Sequence, residues 1–144
     1  MTLGSAALTG TNFALNNDFT SGTTTTFTNS GTVTKNATGV ILSAQALSAS
    51  GAVSLGSNLT ATTGGITVSG ALTLPSGAAG GDVTILANDR NSNIALSSTI
   101  TGNNINLGLI SGAGTTTVTG AVSGLGTLRL QEDAATSTSK VSFL

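Results

Sequence analysis

The residue types that most often carry chemistry are scarce here: the 144-residue chain has no histidine and no cysteine. Zinc, copper, haem and iron–sulfur centres lose their usual ligands. A disulfide framework is excluded too, and with it any redox clue to the compartment. A Ser-His-Asp nucleophile would have no base. The run Ser137-Thr138-Ser139-Lys140 fits S-x-x-K, in which a lysine activates a serine. That motif opens a helix and needs S-D-N and K-T-G partners. Neither occurs, so the run reads as chance in a Ser/Thr-rich tail.

Carboxylates offer little more. Asp89-Arg90-Asn91-Ser92-Asn93 starts like a calcium loop, but Ile94 stands where the loop needs glycine and Ile100 where it needs an acid. Gly80-Gly81-Asp82-Val83 fails the calcium nonapeptide pattern. Asp82, Asp89 and Arg90 form the only acid–base cluster within the repeats, too small for a polysaccharide lyase or hydrolase site. Asp89 and Arg90 read as a solvated corner pair of little energetic weight. The sequons Asn36-Ala37-Thr38 and Asn58-Leu59-Thr60 are expected by chance in such a composition. Gly112-x-Gly114 and Gly124-x-Gly126 lack the third glycine and the helix of a nucleotide site, and read as corners. The sequence nominates no catalytic, cofactor-binding or metal residue, no cofactor, and no enzyme activity.

Partners are bounded in the same way. Four basic residues against five acidic ones cannot make a phosphate footprint, so no nucleic acid is expected. The only stacking platforms are Phe13, Phe19, Phe27 and Phe143. The segment 36–81 carries no charge, yet polar residues interrupt it every few positions and no 18-residue apolar span exists. Without Tyr or Trp girdles, a transmembrane barrel is disfavoured, and no membrane insertion is expected. Met1-Thr2-Leu3-Gly4-Ser5 has neither the basic start nor the apolar run of a signal peptide. The chain therefore reads as a soluble, mature piece of something longer.

Something must nevertheless hold this composition together. Gly, Thr, Ser and Asn fill 77 of the positions, while hydrophobic residues make up 38%. That hydrophobic content argues against disorder. One proline rules out collagen, and the dearth of Glu and Lys argues against helices.

The apolar residues come as couplets separated by one residue: Val53/Leu55, Ile66/Val68, Leu72/Leu74, Val83/Ile85, Ile94/Leu96, Ile105/Leu107 and Leu128/Leu130. Alternation with period two marks strands, and the flanking Gly, Asn and Ser make them three to five residues long. Couplets recur in blocks of eleven from Gly70. Earlier apolar starts, at Val40, Leu47, Val53, Leu59, Ile66 and Leu72, step by six or seven. Either pattern gives a coil of about 19–22 residues.

A strand so short becomes stable when stacked on its equivalent one coil away, at about 4.8 Å. The expected fold is all-β: a right-handed parallel β-helix (β-solenoid) of roughly seven coils, its hand taken from the crossover preference of parallel strands. Residues 1–144 form a single domain, with 1–38 an N-terminal cap and first coils, 39–130 regular coils, and 131–144 a C-terminal cap or tail. Asp82, Asn93 and Asn104 share a place in the blocks and are expected to stack as a polar ladder. Phe13, Phe19 and Phe27 either cap the first coil or fill it. Arg129, Glu132, Asp133 and Lys140 put charge at the far end, where a solenoid must guard its edge.

Stretches such as GGDVTILANDRNSNIAL, TGNNINLGLISGAGTTTVTGAVSG and GLGTLRL resemble the β-helical passenger repeats of autotransporters and of filamentous-haemagglutinin-like secreted bacterial surface proteins. The resemblance covers roughly residues 39 to 130 and is compositional. It implies an exported rod, part of an adhesin or stalk, at the bacterial cell surface. An NPNG-like secretion motif and an outer-membrane barrel are both missing from the sequence.

The expected function is accordingly a secreted structural and interaction module: a segment of a surface adhesin, or a filament subunit that stacks end to end and could meet host protein or glycan. A second reading is ice or glycan recognition by a flat Thr/Ser/Asn face. Thr24/Thr26/Thr28, Thr32/Thr34, Thr60/Thr62 and Thr115/Thr117/Thr119 supply Thr-x-Thr units. They do not recur at one coil period, since two blocks of eleven beyond Thr60 and Thr62 stand Asp82 and Thr84. A lyase-like β-helix is the third and least favoured.

Overall fold

A computed structural model describes residues 2–39, 41–43, 45–87, 92–131 and 140–143 of the protein. The chain winds through three parallel sheets in strict rotation. Sheet A stacks Thr2–Leu3, Phe19–Ser21, Ile41–Ser43, Leu59–Ala61, Asp82–Ala87, Asn106–Ile110 and Leu128–Gln131. Sheet B stacks Ala6–Gly10, Thr25–Asn29, Leu47–Ala49, Ile66–Val68, Ile94–Leu96, Thr115–Val118 and Lys140–Phe143. Sheet C stacks Phe13–Leu15, Thr32–Lys35, Ala52–Leu55, Leu72–Thr73, Ile100–Thr101 and Val122–Ser123. This is a parallel β-solenoid.

Each strand places alternate residues inside and outside the coil. Leu59-Thr60-Ala61 is buried at its ends and half-buried between them. Because every coil repeats that alternation in register, like meets like along the axis. Ile41, Leu59, Ile85 and Leu109 are successive partners in sheet A. Leu47, Ile66 and Ile94 follow one another in sheet B. Val33, Val53, Leu72 and Ile100 do so in sheet C. All are buried, each contributing about 1.5–3 kcal/mol on removal from water. The three columns meet in one continuous core.

Phe19 and Phe27 fill the coils. Phe27 is buried between register partners Leu8 and Ala49, a large ring set against a small neighbour. Its ring lies 5.6 Å from that of Phe13 and 5.7 Å from that of Phe19, both tilted. Such offset contacts are favourable for aromatic quadrupoles.

The coil is less regular than its sequence period suggests. Thr2 already finds its partner at Thr20, whereas Ile66 must wait until Ile94, a coil half as long again. The long coil carries an extra corner between sheets C and A. There Pro75 and a short 3-10 turn at Ala78–Gly81 make the corner, with Ala78 buried in the core and φ positive at Gly77, Ala79, Gly80 and Gly81. The Ala79 N–H pins this corner to the Gly56 carbonyl at 2.8 Å. The eleven-residue blocks also have a different origin from the one their spacing suggests. The first couplet, Leu72/Leu74, begins on sheet C, but Val83/Ile85 and Leu107 lie on sheet A and Ile94/Leu96 and Thr116/Val118 on sheet B, so from Val83 on the blocks skip the two-residue strands Ile100–Thr101 and Val122–Ser123 of sheet C. The six-to-seven step of the earlier half is the true one: a step per face.

Asp82, Asn93 and Asn104 do not form a ladder, because those blocks alternate between faces. Asp82 accepts instead from the Asn106 amide at 2.9 Å on sheet A. Asn93 lies at the entry to sheet B, and Asn104 turns a corner with φ +60°.

Candidate functional site

The corner between sheets C and A holds the least expected side chain. Lys35 ends the strand Thr32–Lys35 and, two residues after buried Val33, must point inward. Its register partners are Leu15 and Leu55, so an ammonium interrupts a column of leucines. Lys35 is 0% exposed. Its Nζ donates to the Asn36 carbonyl at 3.1 Å and to the Thr38 carbonyl. Burial lowers its pKa from the ordinary 10.5, and the negative charge of Asp18 partly offsets that.

Asp18 belongs to the equivalent corner one coil earlier. Gly39, at φ +75°, closes over it so tightly that a Cβ would stand 2.6 Å from Asp18 Oδ1. Thr38 Oγ1 donates to the Asn16 carbonyl at 3.0 Å and Asn36 Nδ2 to Asn16 Oδ1 at 2.7 Å, tying the corners together. A shallow cavity of about 240 Å³ is lined by Ala14 through Phe19. The amine is sealed behind that corner and donates to two backbone carbonyls. The arrangement is suited to fixing a loop and offers no nucleophile to a substrate.

The sequence patterns did not single out Lys35. The signal was there: Phe13-x-Leu15, Val33-x-Lys35 and Val53-x-Leu55 are evenly spaced along the chain and occupy two neighbouring inward columns.

Asparagine serves the corners in a second way. Side-chain carbonyls of Asn12, Asn29, Asn58 and Asn93 accept the backbone N–H of Thr32, Gly51, Thr84 and Thr115 respectively, at 2.8–3.0 Å. Each bond joins one coil to the next where the chain leaves the ladder. Asn29 is also buried, and its amide donates to the Gly31 and Ala52 carbonyls.

The candidate residues of the sequence are scattered. Asp82 is exposed and engaged by Asn106. Of the calcium-like run, Asp89, Arg90 and Asn91 lie outside the described residues, as do Glu132, Asp133 and Ser137-Thr138-Ser139. Val40, which opens the six-to-seven step, is outside them as well. No group of three potential metal ligands occurs among the described residues. In the sequons, Asn36 and Asn58 are exposed, each bonded to a neighbouring coil.

The Thr-x-Thr units separate onto three faces: Thr24/Thr26/Thr28 and Thr115/Thr117/Thr119 on sheet B, Thr32/Thr34 on sheet C, Thr60/Thr62 on sheet A. The unequal coils nevertheless align other hydroxyls between the two sheet B units. Thr26, Ser48, Thr67, Ala95 and Thr117 are successive outward partners there. Thr9 pairs with Thr28, and backbone bonds carry the same file onward through Ser50, Ser69, Ser97 and Thr119.

Neither a protein-family model, nor a curated protein, nor a solved structure matches the chain. The solenoid rests on its own geometry.

Proposed function

We propose that the protein is a structural and interaction module without catalytic activity: an extracellular rod segment of a bacterial surface adhesin, or a subunit of a self-stacking filament. The observation that carries this reading is the condition of the two terminal rungs. Among the described residues, Thr2–Leu3, Ala6–Gly10 and Phe13–Leu15 at one end are paired on one side only, as are Leu128–Gln131, Lys140–Phe143 and Val122–Ser123 at the other. The inward columns open there as well. Leu109 is fully buried, but its partner Leu130 is 39% exposed. Leu3, Leu8, Phe13 and Leu15 are half-buried at the opposite end.

Unpaired parallel edges with apolar rows between them suit addition of another coil. Because the two ends differ, such contacts are head-to-tail and propagate without closing. A net charge of -1 opposes that stacking little. The resemblance of the repeats to surface passengers supports an exported location.

Sedimentation across a wide concentration range, with electron microscopy of the same samples, tests the reading. Concentration-dependent rods or fibres are expected. Strictly monomeric particles throughout would remove the filament form of the proposal.

A further inference from the structure

Among the described residues, the outer face of sheet B is the one surface that repeats in two dimensions. Its first file runs Ala7, Thr26, Ser48, Thr67, Ala95 and Thr117. Its second runs Thr9, Thr28, Ser50, Ser69, Ser97 and Thr119, a hydroxyl at every rung. All six members of the second file are exposed. Rungs lie about 4.8 Å apart, and the two files about 6.7 Å apart, being two residues along a strand.

This net survives coils of very different length. The coils from Ala7 to Thr26 and from Ser48 to Thr67 are equally the shortest along the first file, and the one from Thr67 to Ala95 is nearly half as long again. The added turn at Ala78–Gly81 lies at another corner. The other faces lack the same net. Sheet C offers one file, Thr34, Ser54, Thr73, Thr101 and Ser123, while the companion positions include Ala52, Ala71 and Ala121. Sheet A mixes Leu86 and Ile110 with Asp82 and Arg129.

We infer that the outer face of sheet B binds ice. A ligand for it must itself repeat in a plane, and both spacings lie near those between oxygen rows in hexagonal ice. The two files contain no charge, so an ionic ligand finds no counterion. Among the described side chains, sheet B also offers no outward aromatic platform for stacking sugar rings: Phe27 is buried in the core. Threonine and serine offer hydroxyls beside methyl and methylene groups, able to bond water on a surface that is otherwise apolar.

The face is also held in place beforehand, which reduces what ordering it would cost on binding. Threonine is stiff at χ1. Ser48 Oγ donates to Thr26 Oγ1 at 3.4 Å, and Ser50 Oγ both accepts from the Asn29 N–H and donates to the Asn29 carbonyl. This inference does not depend on end-to-end stacking, since a single rod presents the whole face.

The test is partitioning of the purified chain into slowly grown ice, with Thr67→Tyr and Ser69→Tyr placing bulk in the middle of the net. Thr73→Tyr, on sheet C, serves as the control, and circular dichroism checks each fold. Enrichment of the natural chain in ice is expected, lost in both sheet B variants and retained in Thr73→Tyr. Exclusion of the natural chain from ice overturns the inference. So does equal loss in Thr73→Tyr, or retention on crystalline cellulose without partitioning into ice. None of these results bears on sedimentation, so this inference and the filament reading fail separately.

Discussion

Lys35 and Leu55 are register partners in adjacent coils, an ammonium and an alkyl chain at equivalent inward positions of one column. The column is otherwise aliphatic, and only the corner carbonyls and Asp18 compensate the charge.

That relationship fixes a pH dependence. In the unfolded chain Lys35 returns to its ordinary value of 10.5, whereas burial holds it lower in the fold. Between the two values the unfolded state keeps a proton that the folded state has released, so stability rises with pH across that window. Below it both states are charged and the full cost of burying the ammonium remains. Lys35→Leu is expected to raise the unfolding free energy at pH 7 by about 1–4 kcal/mol and to flatten the rise toward pH 10. Urea unfolding at both pH values measures this.

Asn29 makes three side-chain bonds across a buried corner, while exposed Asn93 makes one to the Thr115 N–H. Asn29→Ala is therefore expected to cost about 2–3 kcal/mol and Asn93→Ala about 1. Thermal unfolding of the two variants side by side gives the ordering.

Corner glycines differ in the same measurable way. A Cβ on Gly70 would collide with the Gly51 carbonyl of the neighbouring coil, whereas one on Gly4 meets nothing within 4 Å. Gly70→Ala is expected to destabilise by about 1–3 kcal/mol. Gly4→Ala should stay within about 0.5 kcal/mol of the natural chain.

Much of this architecture is legible in the residues themselves. The couplets at Leu47, Val53, Leu59, Ile66 and Leu72 mark the faces of successive coils, because inward positions must be apolar and every corner needs a small or polar residue. The Ala78–Gly81 corner escaped that pattern, since an added turn leaves the inward alternation intact and changes only the count between couplets. Unequal counts also hid the hydroxyl net of sheet B, in which no fixed offset connects Thr26 to Thr117. Lys35 was invisible for a different reason: charge argues for solvent, and only its position in the column overrides that.

Leu130 tests the stacking of rods. Its partner Leu109 is sealed in the core, and Leu130 itself is left open. Leu130→Lys would place an unpaired, desolvated cation in the head-to-tail contact. Loss of the larger species in sedimentation is expected, with the circular dichroism of the coil unchanged.

The winding itself can be measured directly, because a chain without cysteine accepts a single pair of spin labels cleanly. Thr9 and Thr119 stand five rungs apart in one file of sheet B. Labels at Thr9→Cys and Thr119→Cys should give a narrow distribution whose backbone separation centres on about 24 Å, five spacings of about 4.8 Å. A separation of one or two strand spacings, or a broad distribution, would contradict the stacked coil.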